Sequence, residues 1–327
     1  MITYPNVKVN LGLSVLRKRP DGYHDIETLF VPCFDIHDTL EIIAGDDFSR
    51  TSASLFKKYS DPLSGGVPSL KTSCSAGPLP SDDGPLPLML PRVAQFSETG
   101  TSGAQDQIRQ GIREDGKLMV TIARAEGVDW DPLEDLTAKA YGLLDAEFGL
   151  PPVKIFLEKA APVGAGLGGG SADAAFALRT LSELFALGLD EAALADRAAR
   201  LGSDCAFFVY NRPMLGTGRG EILEAYDIDL SPYELRIAVP AGVSVSTADA
   251  YRGIVPREAE ASRALPLRDA LARPAAAWRS CLVNDFEATV FAKYPAVAEA
   301  KQALYDAGAI YASMSGSGSA VFGLFPR

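Results

Sequence analysis

Histidine is nearly absent from this chain. With only His24 and His37, a histidine-based metal centre is effectively excluded. The four cysteines, Cys33, Cys74, Cys205 and Cys281, lie far apart and form no C-x-x-C pair. That argues against a zinc site or a disulfide framework and for reduced thiols. No apolar run approaches membrane-spanning length, and the first residues, Met1 to Leu13, lack the basic stretch and apolar core of a signal peptide. Basic residues are the scarcer sign of charge: 31 Lys and Arg stand against 42 Asp and Glu, a formal net charge of −11. Nucleic acid and anionic membrane are therefore disfavoured as partners, and an anionic ligand must be met by a few placed cations. The expectation is a soluble cytoplasmic protein with no metal-ligand set of its own.

What the chain does have is glycine in one place. From Pro162 the sequence runs Val-Gly164-Ala-Gly166-Leu167-Gly168-Gly169-Gly170-Ser171 and continues into an alanine-rich helical run. Glycine lets backbone N–H groups approach a ligand, and the helix that follows adds four unpaired N–H groups and its positive dipole end. This is an anion cradle suited to a nucleotide phosphate. Read literally, the run matches the dinucleotide fingerprint G-x-G-x-x-G, but Asp190 and Glu191, about twenty residues on, open a helical run instead of ending a strand. It also nearly matches the P-loop, except that Gly170 stands where that loop carries its lysine. The site must import its cation from elsewhere in the chain.

Around the loop, periodicity predicts strands over residues 7–15, 26–33, 38–43, 117–124, 153–159 and 235–239. It predicts helices over 133–148, 171–186, 191–201, 282–292 and 296–307, and a closing pair of strands about the Gly/Ser turn at 315–319. Residues 46–114 are rich in Ser, Gly, Pro and Asp and lack periodicity. They read as an irregular insertion between two strands, 38–43 and 117–124, that would otherwise form one hairpin. Strands and helices mix without a steady βαβ rhythm, which favours α+β. The length suggests two domains, 1–229 and 230–327.

The run Pro162-Val-Gly-Ala-Gly-Leu-Gly-Gly-Gly-Ser171-Ala-Asp-Ala-Ala175 resembles the phosphate loop of the galactokinase, homoserine kinase, mevalonate kinase and phosphomevalonate kinase superfamily. Pro5-Asn-Val-Lys8-Val-Asn10 resembles its first motif. Asp21-Gly22-Tyr23-His24, followed by Thr28-Leu29-Phe30, is similar to the 4-(cytidine 5′-diphospho)-2-C-methyl-D-erythritol kinase family in particular. Leu201 to Phe208, Gly216 to Leu223, Val283 to Glu287 and Met314 to Gly318 agree with it. The resemblance covers nearly the whole chain outside 46–114.

The resemblance implies an ATP-dependent small-molecule kinase of isoprenoid precursor synthesis by the non-mevalonate route, using Mg2+ with its ATP. It also implies a ribosomal-S5-like N-terminal half and a ferredoxin-like C-terminal half, with the active site in the cleft between. Lys8 is then the catalytic lysine and Asp204 the base, where composition alone would allow a solvated strand lysine and a turn-capping aspartate. Pro162, Gly164, Gly166, Leu167, Gly168, Gly169, Gly170 and Ser171 would wrap the phosphates, with Lys159 near adenine. Asn10, Tyr23, His24, Thr247 and Tyr251 would face the second substrate, Tyr23 and His24 reading its cytosine. One departure stands out: Glu134-Asp135-Leu136 replaces the family's Asp-Asn-Leu. The alternatives are another kinase of the superfamily, or an inactive nucleotide-binding protein on the same fold.

Overall fold

The computed structural model describes residues 1–46, 107–257 and 265–327. Its strands are β1 (Ile2–Thr3), β2 (Asn6–Lys18), β3 (His24–His37), β4 (Thr39–Ala44), β5 (Ile108–Ile112), β6 (Leu118–Arg124), β7 (Val153–Lys159), β8 (Met214–Thr217), β9 (Ile222–Ala225), β10 (Tyr233–Ala238), β11 (Tyr311–Met314) and β12 (Val321–Pro326). They form three sheets, ordered β1-β4-β7-β6-β5, β2-β3-β8-β9 and β10-β12-β11. The helices are α1 (Leu136–Phe148), α2 (Gly169–Leu184), α3 (Glu191–Leu201), α4 (Cys205–Tyr210), α5 (Thr247–Arg252), α6 (Leu267–Leu271), α7 (Ala275–Trp278), α8 (Glu287–Lys293) and α9 (Pro295–Asp306). The architecture is α+β.

Alternation of side chains along the strands sorts the five-stranded sheet into two faces. Val120, Ile122, Ile155 and Leu157 point into a core built with α1, α2, α3 and α4. Met119, Ala123 and Phe156 point the other way. Helix α2 can lie close on the first face because its buried positions include Ala172, Ala174, Ala175 and Ala177. Two further cores meet along β2. Val7, Val9 and Leu11 pack with Ala165 and Leu167 of the glycine loop and with Leu267, Trp278 and Phe322 from the C-terminal part of the chain. Leu13 and Val15 pack with Phe286, Val290 and Val297. Asn284 forms a bridge to Leu13, and Asp285 accepts the Val15 N–H while holding Arg257 through both carboxylate oxygens. One thirteen-residue strand is thus common to both ends of the chain.

Three sequence expectations need correction. The strands over 38–43 and 117–124 are not a hairpin: β7 lies between β4 and β6, antiparallel to the first and parallel to the second. The sequence VKIFLEK is buried on nearly every residue, as a central strand requires, and takes both neighbours for itself. The end of the 46–114 segment is regular, since β5 pairs with β6 along its whole length. Most of that segment, 47–106, lies outside the described residues. Finally, the helix expected from residue 282 begins only at Glu287, because 283–285 bond to β2 instead. The expected division at 229–230 falls in the connection between β9 and β10.

The strand order yields a test. Asp46 follows β4 at the end of the sheet where Ala44 pairs with Val153, whereas Gln107 lies at the opposite end, its carbonyl accepting the Arg124 N–H. The two are separated by three strand spacings and the length of β6, about 25 Å, which needs at least about eight extended residues. A Gly/Ser link of about twelve residues in place of 47–106 is therefore expected to leave the melting temperature within a few degrees of the parent. A two-residue turn at the same place should pull β5 from β6 and lower it clearly. Equal melting temperatures for the two links would contradict the strand order.

Candidate active site

Three glycines at alternate positions, Gly164, Gly166 and Gly168, take φ of +71°, +78° and +76°. Gly168 is the N-cap of α2 and brings no side chain to cap it. That leaves the first N–H groups of the helix for an anion. The loop is braced by the turn between β11 and β12. Ser315 Oγ donates to Gly166 O at 2.9 Å, and the Ala320 N–H donates to Ala165 O at 3.0 Å. A Cβ on Gly166 would lie 2.2 Å from Ser315 O, so the approach admits glycine alone. The turn is fixed in its own right by buried Asn284, whose Nδ2 donates to Met314 O and Gly316 O, both at 2.8 Å.

The missing loop cation arrives from β2. Lys8 is buried, and its Nζ donates to Asn10 Oδ1 at 2.6 Å and to Gly166 O at 3.0 Å. It lies 3.4 Å from Asp204 Oδ2 and 5.5 Å from the centre of the Phe30 ring. Its backbone N–H donates to Leu167 O, so strand and loop are joined at both main chain and side chain. Asn10 is held in turn by its Nδ2 bond to Thr28 Oγ1, and Thr28 donates to Gly12 O at a bulge in β2. Asp204 precedes α4 but makes no capping bond to it. The turn-capping role is not realised; the carboxylate, 30% exposed, faces Lys8 instead.

Lys159 ends β7 beneath the loop, where its ammonium pairs with Asp38 and Asp173. Burial works to lower the pKa of this lysine, and the two carboxylates overcome it and hold it above the ordinary range. Ser171, in the first turn of α2, bonds the Cys205 thiol; burial pushes that thiol up to about 12 despite the hydroxyl. Asp135 is the N-cap of α1, accepting from Thr137 N and Oγ1, and from Trp130 Nε1 at 3.1 Å. Every one of these contacts asks for an acceptor. An asparagine would turn its amide N–H toward the indole, which is a physical reason for the departure from Asp-Asn-Leu.

On the other side of Asp204, His24 and Tyr251 stack on each other at 4.7 Å and 19°. Tyr251 meets Phe286 edge-on at 4.7 Å. Burial, with Asp204 adding to it, pushes the Tyr251 hydroxyl up to about 12. Burial and the neighbouring Lys18 hold His24 below its ordinary value, so it is neutral at pH 7 and can both donate and accept. Tyr23 is 57% exposed, with the Arg219 guanidinium 5.1 Å from its ring centre. Thr247, at the start of α5, bonds Ser317 of the bracing turn at 3.1 Å. A cavity of about 690 Å³ opens beside the stacked pair, lined also by Arg17, Lys18 and Arg252.

The structure thus brings Lys8, Asn10, Asp204 and the loop into direct contact. It places Tyr23, His24, Tyr251 and Thr247 along one flank and Lys159 underneath. Sequence reasoning gave no role to Thr28, Asp38, Asp173 or Arg219. Asp173 did carry a signal, as a lone acid inside an alanine-rich helical run.

Residues 135–212 match the GHMP kinases N terminal domain and residues 261–327 the GHMP kinases C terminal domain. The chain is 40% identical over 325 residues to the 4-diphosphocytidyl-2-C-methyl-D-erythritol kinase of Bacteroides fragilis, covering 99% of this chain and 92% of the relative. It is equally similar to that of Bacteroides thetaiotaomicron, at 40% over 325 residues with the same coverage. A crystal structure of 4-(cytidine 5′-diphospho)-2C-methyl-D-erythritol kinase superposes with a TM-score of 0.64 at 27% identity, covering 99% of this chain and 90% of the other.

The glycine contacts predict a contrast. Gly164 and Gly166 share a positive φ, but a Cβ on Gly164 meets nothing within 4 Å. Gly164→Ala should cost only the left-handed backbone strain of about 1–2 kcal/mol. Gly166→Ala must separate the loop from its brace, and is expected to weaken nucleotide binding far more. Titration of both variants with ATP checks this; equal losses would mean that the 315–319 turn does not hold the loop.

Proposed function

This chain belongs to the 4-diphosphocytidyl-2-C-methyl-D-erythritol kinase family, and we propose that it transfers the γ-phosphoryl group of Mg-ATP to the 2-hydroxyl of 4-(cytidine 5′-diphospho)-2-C-methyl-D-erythritol. The observation that carries the mechanism is the position of Lys8 Nζ, between the Gly166 carbonyl of the phosphate loop and the Asp204 carboxylate. Phosphoryl transfer asks a protein mainly to position its reactants and to stabilise charge on the moving group. In this reading the loop and the N-terminus of α2 hold the phosphates. Lys8 stabilises the transferring group. Asp204, oriented by Lys8, takes the proton of the attacking hydroxyl as its oxygen bonds to phosphorus and ADP leaves.

Tyr23 and His24 take the cytosine, one by stacking and one along its hydrogen-bonding edge. Arg219 lies on the Tyr23 ring, in the turn whose Gly220 approaches Asp204, and so stands where a diphosphate between base and sugar alcohol needs a cation. Among the described residues no three His, Cys, Asp or Glu side chains gather to hold a metal. Ser171 is the residue that would stand at a magnesium ion bound to the triphosphate, and such an ion would offset charge on the phosphates. Helix α9 backing the antiparallel β10-β12-β11 sheet supports a ferredoxin-like C-terminal half, and 1–229 is assigned the ribosomal-S5-like half. The three described cysteines are free, in keeping with a cytoplasmic enzyme.

The assay is ADP release with the cytidine substrate, run beside mevalonate, phosphomevalonate and homoserine. Turnover is expected with the first alone; turnover only with one of the others would overturn the assignment. Tyr23→Ala and His24→Ala should raise KM for the cytidine substrate by about five-fold or more, from about 1–3 kcal/mol for a stacked base. KM for ATP should stay within about twofold. Asp204→Asn supplies the control, with a rate loss on the order of a hundredfold or more at normal ATP binding.

A further inference from the structure

The phosphate loop hangs between the last residue of β7 and the first turn of α2, and one buried cluster lies under both ends. A Cβ on Gly169 would be 3.5 Å from Lys159 Nζ and 3.7 Å from Asp38 Oδ2. Asp38 Oδ1 accepts the backbone N–H groups of Ala160 and Ala161, at 2.7 and 2.8 Å, where the chain leaves β7. Its Oδ2 accepts from Lys159 Nζ, which also donates to Asp173 Oδ2 at 2.5 Å on α2. The three side chains are 0%, 4% and 1% exposed, so none of the three presents itself to solvent. An ammonium beneath a helix N-terminus is opposed by the dipole and by burial, and stays because the carboxylates hold it. The loop between has three left-handed glycines and little stiffness of its own. Asp38 fixes its entrance directly and its exit through Lys159.

The two carboxylates are not equivalent. Asp38 has three donors spread over both oxygens. Asp173 has one, and its buried Oδ1 has no hydrogen-bond partner among the described residues. A buried carboxylate with an idle oxygen is costlier charged than neutral. Burial, with the Asp38 and Asp135 carboxylates adding to it, holds Asp173 well above the usual carboxylate range against the pull of Lys159.

We propose that Asp38 is a positioning residue for ATP, acting on the phosphate loop through Lys159 and the backbone at 160–161. The proposal rests on the phosphotransfer reading for its kinetic assay. A calorimetric titration with ATP alone needs no acceptor, so a wrong acceptor assignment would leave that arm intact.

Asp38→Asn keeps the shape of the side chain but turns an amide against the ammonium. It is expected to raise KM and Kd for ATP by about tenfold or more, with KM for the cytidine substrate within about twofold. Asp173→Asn, which touches Lys159 but not the backbone at 160–161, should raise the ATP constants by clearly less than Asp38→Asn does. A mere loss of folded protein lowers Vmax and moves neither KM. Unchanged ATP constants in Asp38→Asn would therefore overturn the proposal, as would a rise in Asp173→Asn equal to that in Asp38→Asn. Should Asp38→Asn not fold, Lys159→Met carries the test: ATP constants up by about tenfold with the other KM unchanged supports the proposal, and unchanged ATP constants overturn it.

Discussion

A phosphate loop without a lysine needs one from elsewhere, and the structure answers that need with a single buried side chain on β2. Lys8 is surrounded by Asn10, the Gly166 carbonyl, the Phe30 ring and Asp204. Removing an ammonium from water costs several kcal/mol, and only well-placed acceptors make its burial tolerable. Those acceptors set the demands on the rest of the fold. Asn10 must point the same way as Lys8, which the two-residue period of a strand provides. Thr28 on β3 must hold Asn10, and the loop must turn one carbonyl toward the strand while its N–H groups remain for phosphate.

The same demand explains why both ends of the chain meet on β2. The loop can keep its shape only if something holds it from the far side, and that is the turn at 315–319, itself fixed by Asn284. Asn284 is placed by backbone bonds between 283–285 and Leu13. The route from Lys8 to its brace therefore runs out along β2, across to 283–285, and back through the turn to Gly166. Thr247, on the flank assigned to the second substrate, touches this turn through Ser317. One short segment contacts both the loop and the substrate side.

Much of this was legible in the sequence, and the reasons are specific. The glycine run, with Gly170 at the P-loop lysine position, pointed to a loop that meets a cation from elsewhere in the chain, and Lys8 does lie against its Gly166 carbonyl. Alternation placed Lys8 and Asn10 on one face. Strand 153–159 and helix 191–201 have strong periodic patterns and fall where expected. The sheet order was not legible. Pairing of β4 and β6 with β7 depends on which buried strand occupies the centre, a long-range choice that neighbours in sequence do not encode. The role of Asp38 was hidden for the same reason. Its partners are 121 to 123 residues away. Arg219 needed the β8–β9 turn folded back toward Tyr23 before its place could be seen.

The central claim is that Lys8 supplies the charge the loop lacks during transfer, not merely its fold. The most direct measurement is the single-turnover rate of phosphoryl transfer in Lys8→Met, with both substrates saturating and ATP affinity measured separately. A fall on the order of a hundredfold or more, with ATP affinity near that of the parent and the protein folded, is the predicted result. A rate within about tenfold of the parent would contradict it and leave the lysine-free loop without its cation.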